Sequence, residues 1–160
     1  MKKSILLSLS CTLMFMACKK NDQAAPVNLT GSDLLMSGKW QITAEMLTTT
    51  VDGTPTAPVD RFTGRRSCDK DNYTLFRTDA HWIIDEGADK CNAQQQQDLG
   101  TWTLINNNTR LSLNSVSGNA FFEVLQLDND ILKTRYTQAP QNFNGSVYVM
   151  TTETTYKHIK

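Results

Sequence analysis

The chain has 160 residues, and its 16 Lys plus Arg are balanced by 16 Asp plus Glu, a formal charge of zero. That balance gives no electrostatic footprint for nucleic acid. The length fits one domain built on one core and leaves no room for a second.

Lys2 and Lys3 open the chain and precede an almost wholly apolar run of twelve residues, Ile5 to Met16. A positive start before a core of that length is the pattern of a signal peptide. The run is shorter than the roughly 18 residues a spanning helix needs. Ordinary secretory cleavage asks for small residues one and three positions before the cut. Phe15 fails that test, whereas Ala17 stands directly before Cys18.

The segment Leu13-Met14-Phe15-Met16-Ala17-Cys18 resembles a bacterial lipobox. The resemblance implies removal of residues 1–17 as a lipoprotein signal peptide and acylation of Cys18, palmitate among the chains. Lys19, a residue other than Asp, implies transfer to the outer membrane, the facing side being open. Residues 18–30 begin Cys18-Lys19-Lys20-Asn21-Asp22-Gln23 and are too polar to order themselves, which predicts a flexible tether. Residues 31–160 form the predicted domain. Loss of Lys2 and Lys3 leaves 14 basic against 16 acidic residues, a formal charge of −2.

Ser32 to Ser37 fits a single helical turn with Ser32 as its cap and Leu34 and Leu35 packing inward. From Lys39 onward short alternating or β-branched runs predict eight strands: Lys39–Thr50, Asn72–Arg77, His81–Asp85, Leu99–Ile105, Thr109–Asn114, Asn119–Leu127, Ile131–Thr137 and Ser146–Lys157. The first strand alternates Trp40, Ile42, Ala44 and Met46 on an apolar face with Gln41, Thr43 and Glu45 on a wet one. Trp82 with Ile84, Trp102 with Leu104, and Leu111 with Leu113 continue the apolar face. Breaks fall at Asn106-Asn107-Asn108, Ser117-Gly118, Asp128-Asn129-Asp130 and Asn142-Phe143-Asn144-Gly145, all turn-forming residues. Asp52 to Arg66, with Gly53, Pro55, Pro58 and Gly64, is expected to be a long loop of the functional or mobile kind. The predicted architecture is all-β, an eight-stranded antiparallel up-and-down barrel with a short N-terminal helical turn.

With Cys11 in the signal and Cys18 acylated, Cys68 and Cys91 are the pair left in an oxidising compartment, and a disulfide is expected. The alternative, a zinc site, wants two more ligands nearby, of which only His81 lies inside that loop. No other metal or cofactor is implied. Catalysis finds little support: there is no G-x-S-x-G elbow, His81 lies on a predicted strand and His158 in a tail expected to fray. The carboxylate pairs Asp69 with Asp71, Asp85 with Glu86, and Asp128 with Asp130 are expected to be solvated turn residues. Arg61, Arg65 and Arg66 form either a wet loop or a receiver for an acidic group.

At Gly38-Lys39-Trp40, after a helical turn and at the start of the first strand, the chain resembles the G-x-W signature of lipocalins. It is similar to the lipocalin-like (calycin) domains of lipid-anchored bacterial lipoproteins in its early Trp40, its Cys68 and Cys91 pair and a second Gly-x-Trp at Gly100-Thr101-Trp102. The resemblance implies a barrel and a basic residue stacked on the first Trp, either Arg135 or Lys157. Two functional expectations follow. In the first, a non-enzymatic monomer holds a small apolar or amphipathic ligand inside the barrel among Trp40, Ile42, Met46, Trp82, Trp102, Tyr136 and Tyr148. In the second, the barrel is solid and its outer surface or loops dock an envelope protein or glycan. Trp40 is either a barrel-end core residue or a contributor to binding.

Overall fold

A computed structural model describes residues 30–91, 93 and 96–159. The predicted signal peptide, Cys18 and all of the predicted tether but Thr30 lie outside these described residues. The elements in chain order are α1 (Gly31–Met36), β1 (Lys39–Val51), β2 (Thr54–Pro55), β3 (Val59–Asp60), α2 (Ser67–Lys70), β4 (Tyr73–Phe76), β5 (His81–Asp85), β6 (Gln96–Ile105), β7 (Arg110–Ser115), β8 (Gly118–Leu127), β9 (Ile131–Thr137), β10 (Gln141–Phe143) and β11 (Ser146–Ile159).

Eight of these strands, β1, β4 to β9 and β11, close into an antiparallel barrel. Each pairs with its neighbour along the chain, and β1 meets β11 from Lys39↔Ile159 to Val51↔Tyr148 to complete the ring. The eight predicted strands coincide with these eight, so the up-and-down reading holds. Turn chemistry sets the connections. Asn106, Asn107 and Asn108 all take positive φ (53°, 53° and 68°), which Asn tolerates better than most residues. Between β10 and β11, Asn144 and Gly145 make a two-residue turn with φ of 49° and 84°. The predicted break at Asn142 to Gly145 is therefore half strand, since Asn142 and Phe143 belong to β10.

The predicted loop from Asp52 to Arg66 is more ordered than a bare loop. β2 pairs Thr50↔Pro55 and β3 pairs Met46↔Asp60 against the outer half of β1. Asp52 accepts the Val147 N–H at 2.8 Å, which ties the turn to β11 and holds the Asp52 carboxyl below the usual carboxylate range. The predicted helix is present, but its cap is Thr30 and not Ser32. Thr30 Oγ1 accepts the Asp33 N–H and Asp33 returns the bond to the Thr30 N–H, a reciprocal capping box.

The core gathers under α1. Leu35, Trp40, Phe76, Trp102, Leu111 and Leu132 form one buried cluster, with Met36, Trp82, Leu104, Leu113, Phe122, Val124, Leu127 and Tyr156 packed around it. Each such side chain contributes about 1.5–3 kcal/mol of burial. The polar edges of the tryptophans are satisfied too, Trp40 Nε1 donating to the Leu35 carbonyl at 2.9 Å and Trp102 Nε1 to that of Arg77 at 3.1 Å.

His158 overturns two expectations at this end. It is not frayed, because β11 runs to Ile159 and the His158 ring stacks on Trp40 with centroids 4.9 Å apart. Its Nδ1 donates to the Asn129 carbonyl at 2.8 Å. The residue on the first Trp is thus His158, and neither Arg135 nor Lys157, which alternate to the outer face of their strands. A side chain at Gly38 would overlap the His158 ring, so the motif needs glycine for close approach. At Gly100 the reason is doubled: its φ is +134° and an added Cβ would collide with the Asn114 carbonyl.

Candidate functional site in the barrel interior

Strand alternation and register divide the interior into two halves. The half under α1 is filled by the core cluster. Toward the other end, the inward positions of β1, β9 and β11 carry Glu45, Leu47, Thr49, Tyr136, Met150, Thr152 and Thr154, all half-buried. These side chains are less buried than the core cluster and mix polar with apolar groups, so the half they line is a mixed-polarity cup.

A β-bulge between Ile42 and Ala44 decides which side chains of β1 enter that cup. Before the bulge Trp40 and Ile42 face inward. The extra residue shifts the register by one, and a one-residue slip exchanges the two faces. Met46 therefore faces outward and is 38% exposed, which removes it from the predicted ligand-facing set. Glu45, expected on the wet face, turns inward.

Glu45 meets Arg65 of the loop before α2 in an ion pair, with side chains 17% and 32% exposed. Arg65 Nε is buried and has no hydrogen-bond partner. The pair sits beside Tyr156, whose phenol is pushed up to about 12, chiefly by burial, with Arg65 lowering it and Glu45 raising it. Tyr156 is the cross-strand partner of Ile42, one inward position from Thr154 opposite Glu45. Over the pair opens a cleft of about 480 Å³ lined by Glu45, Val59, Asp60, Arg61, Gly64 and Arg65.

The other residues singled out from sequence fall as follows. Trp40 and Trp102 are core, 1% and 7% exposed. Ile42 faces in. Trp82 packs against the core, and its Nε1 is buried without a partner. Tyr136 lies against Phe122, ring centroids 5.2 Å apart, on the inward face. Tyr148 lies at the far end of β11, 6.4 Å from the Phe143 ring. The arginine cluster splits, since Arg66 turns away to Asp69 through bonds of 2.7 and 3.0 Å while only Arg65 enters the barrel.

Cys68 and Cys91 form a disulfide with Cα atoms 5.2 Å apart, tying α2 to the segment after β5. The two sulfurs are bonded to each other, so neither serves a metal. The carboxylates Asp85 and Glu86 are not solvated as expected but buried, 7% and 1% exposed. Asp85 faces Lys39 at 3.6 Å, and Glu86 accepts the Cys91 N–H at 2.8 Å, which makes Glu86 a support for the disulfide segment. His81 Nδ1 lies 2.7 Å from Asp98 on the outer face, with no nucleophile bonded to it among the described residues. Glu45 was missed because no residue type announces a bulge at Thr43, and Tyr156 because its place beside Glu45 depends on β11 closing on β1.

A closed eight-stranded antiparallel barrel, plugged at one end by a helix and a Gly-x-Trp motif, defines a lipocalin-type protein. The family model of the lipocalin-like domain matches residues 36–134, from the last residue of α1 into β9. The chain belongs to that family. No curated protein matches it. A lipocalin-like barrel is typically a binding module.

Proposed function

We propose that this protein is an outer-membrane lipoprotein, anchored through acylated Cys18, whose barrel carries a small apolar or amphipathic ligand without chemical change. The observation that carries the reading is the division of the interior: one end filled by Trp40, Trp102 and Leu132, the other lined by half-buried Leu47, Tyr136, Met150 and threonines. A barrel of eight strands is wide enough for one small ligand where side chains do not fill it.

The test is native mass spectrometry of the full chain purified from its own membranes, with an organic extract of the same sample analysed for small molecules. A stoichiometric ligand is expected. A clean apo mass would favour docking through the outer surface, where Phe121 is 43% and Phe143 66% exposed. The anchor is tested separately: Cys18→Ser is expected to leave the signal uncleaved and the protein out of the outer-membrane fraction.

A further inference from the structure

We infer that the open half of the barrel selects an uncharged amphipath, whose polar end is a carbonyl, amide or hydroxyl accepting from Arg65 Nε–H and the Tyr156 hydroxyl while Glu45 turns carboxylates away. This rests on the carrier reading above and adds the ligand's chemical class.

Three observations converge on one spot. Arg65 Nε is a buried donor with nothing to donate to, and a buried donor left unpaired costs free energy that an acceptor would recover. The Tyr156 hydroxyl, on the inner face beside it, makes no hydrogen bond among the described residues. Its phenol stays protonated and able to donate at neutral pH. Arg65 Nε therefore calls for an acceptor, and the Tyr156 hydroxyl beside it can donate to the same one. The third observation concerns charge: the guanidinium is already neutralised by Glu45, whose side chain is only 17% exposed.

A ligand carboxylate would have to share one guanidinium with Glu45 or displace it. Two carboxylates held close in a half-dry site repel more strongly than in water. Arg61 lines the same cleft, but so does Asp60, which keeps the charges along its rim in balance. A neutral acceptor meets both donors without that repulsion, and its alkyl body lies along Leu47, Tyr136 and Met150. Specificity here comes from a repulsive element as well as an attractive one.

The experiment uses the full chain in phosphatidylcholine vesicles, with 11-bromoundecanoic acid and its primary amide as probes. Both carry the same heavy-atom tail, and binding is read as quenching of tryptophan fluorescence at neutral pH, corrected for partition into protein-free vesicles. The amide is expected to bind at least about tenfold more tightly than the carboxylate, a ratio equal to about 1.4 kcal/mol. Glu45→Gln is expected to erase most of that ratio by admitting the carboxylate, and Glu45→Asp to keep it. Tyr156→Phe is expected to weaken the amide several-fold. Equal or tighter binding of the carboxylate to the wild type overturns the inference, whether or not Glu45→Gln folds. An unchanged ratio in a folded Glu45→Gln protein overturns it as well. Quenching by neither probe strikes at the carrier reading itself.

Discussion

The two ends of the barrel are built from the same strands and hold together by different means. Under α1, Trp40, Leu35 and Leu132 are at most 1% exposed, and Trp40 Nε1, Trp102 Nε1 and His158 Nδ1 each have a hydrogen-bond partner. At the open end the inward side chains are half-buried, and the buried Arg65 Nε donor lacks a partner. Unpaired buried donors are rare in a region selected for stability alone. The comparison teaches that stability is concentrated at the plugged end, which frees the open end to stay under-packed. If so, equal truncations at the two ends should cost very different amounts.

Trp40→Ala is the sharpest way to break that contrast. It removes a fully buried indole, its bond to Leu35 and its stack on His158, and large-to-small changes of this kind cost about 3–5 kcal/mol. Leu47→Ala in the cup is expected to cost less than half as much. Urea unfolding of both variants measures the difference, and similar losses would mean that the cup is packed after all.

The next largest effect concerns the staple beside the open half. Replacing Cys68 and Cys91 together by Ala removes a crosslink over a sequence separation of 23, worth about 3.5 kcal/mol on the chain-entropy model. Hydrogen exchange in the double variant should rise first around β3, α2 and Arg65, leaving β7 and β8 protected. Uniform loosening would show that the two ends unfold as one unit.

How much of this was legible beforehand differs between the same two regions. The eight strands could be read because alternation and Asn- and Asp-rich turns recur from Lys39 to Lys157, and local pattern governs both. The plugged end was legible through Gly38-Lys39-Trp40, whose glycine and tryptophan each have a steric reason to be there. His158 was not, since its role depends on β11 closing on β1 across 118 positions from Trp40 and no local signal carries that. The cup was the least legible part. One extra residue near Thr43, without the glycine that often marks a bulge, exchanged Met46 for Glu45, and Arg65 arrives from a loop whose path is set by β3 and the disulfide.

Tyr156 tests the boundary between the regions, because it packs on the core and faces the ion pair. Its phenol is raised from 10.0 to about 12, so the fold favours the neutral form. The stabilisation is fully present below pH 10 and is lost as pH rises from about 10 through about 12. Absorbance at 295 nm should show one tyrosine ionising near the top of that range, and Tyr156→Phe should remove the step. Ionisation of all four tyrosines near pH 10 would mean that the cup admits water freely down to the core.

The smallest expected effect lies on the outside of the barrel. Arg110, Glu123, Arg135 and Glu153 stand opposite one another across β7, β8, β9 and β11, and Arg135 bridges Glu123 at 3.1 Å and Glu153 at 2.7 Å. Lys133 and then Arg135 hold the Glu153 carboxyl below its ordinary 4.5, so its contribution is present above that value and fades as pH falls through the folded one. These side chains are 30–56% exposed, and exposed pairs contribute about 0–1 kcal/mol each. Arg135→Ala is therefore expected to cost under about 1 kcal/mol in urea, less still in high salt. A larger, salt-resistant loss would mean that the open half is held from outside by its charges, and that its loose interior is no measure of its stability.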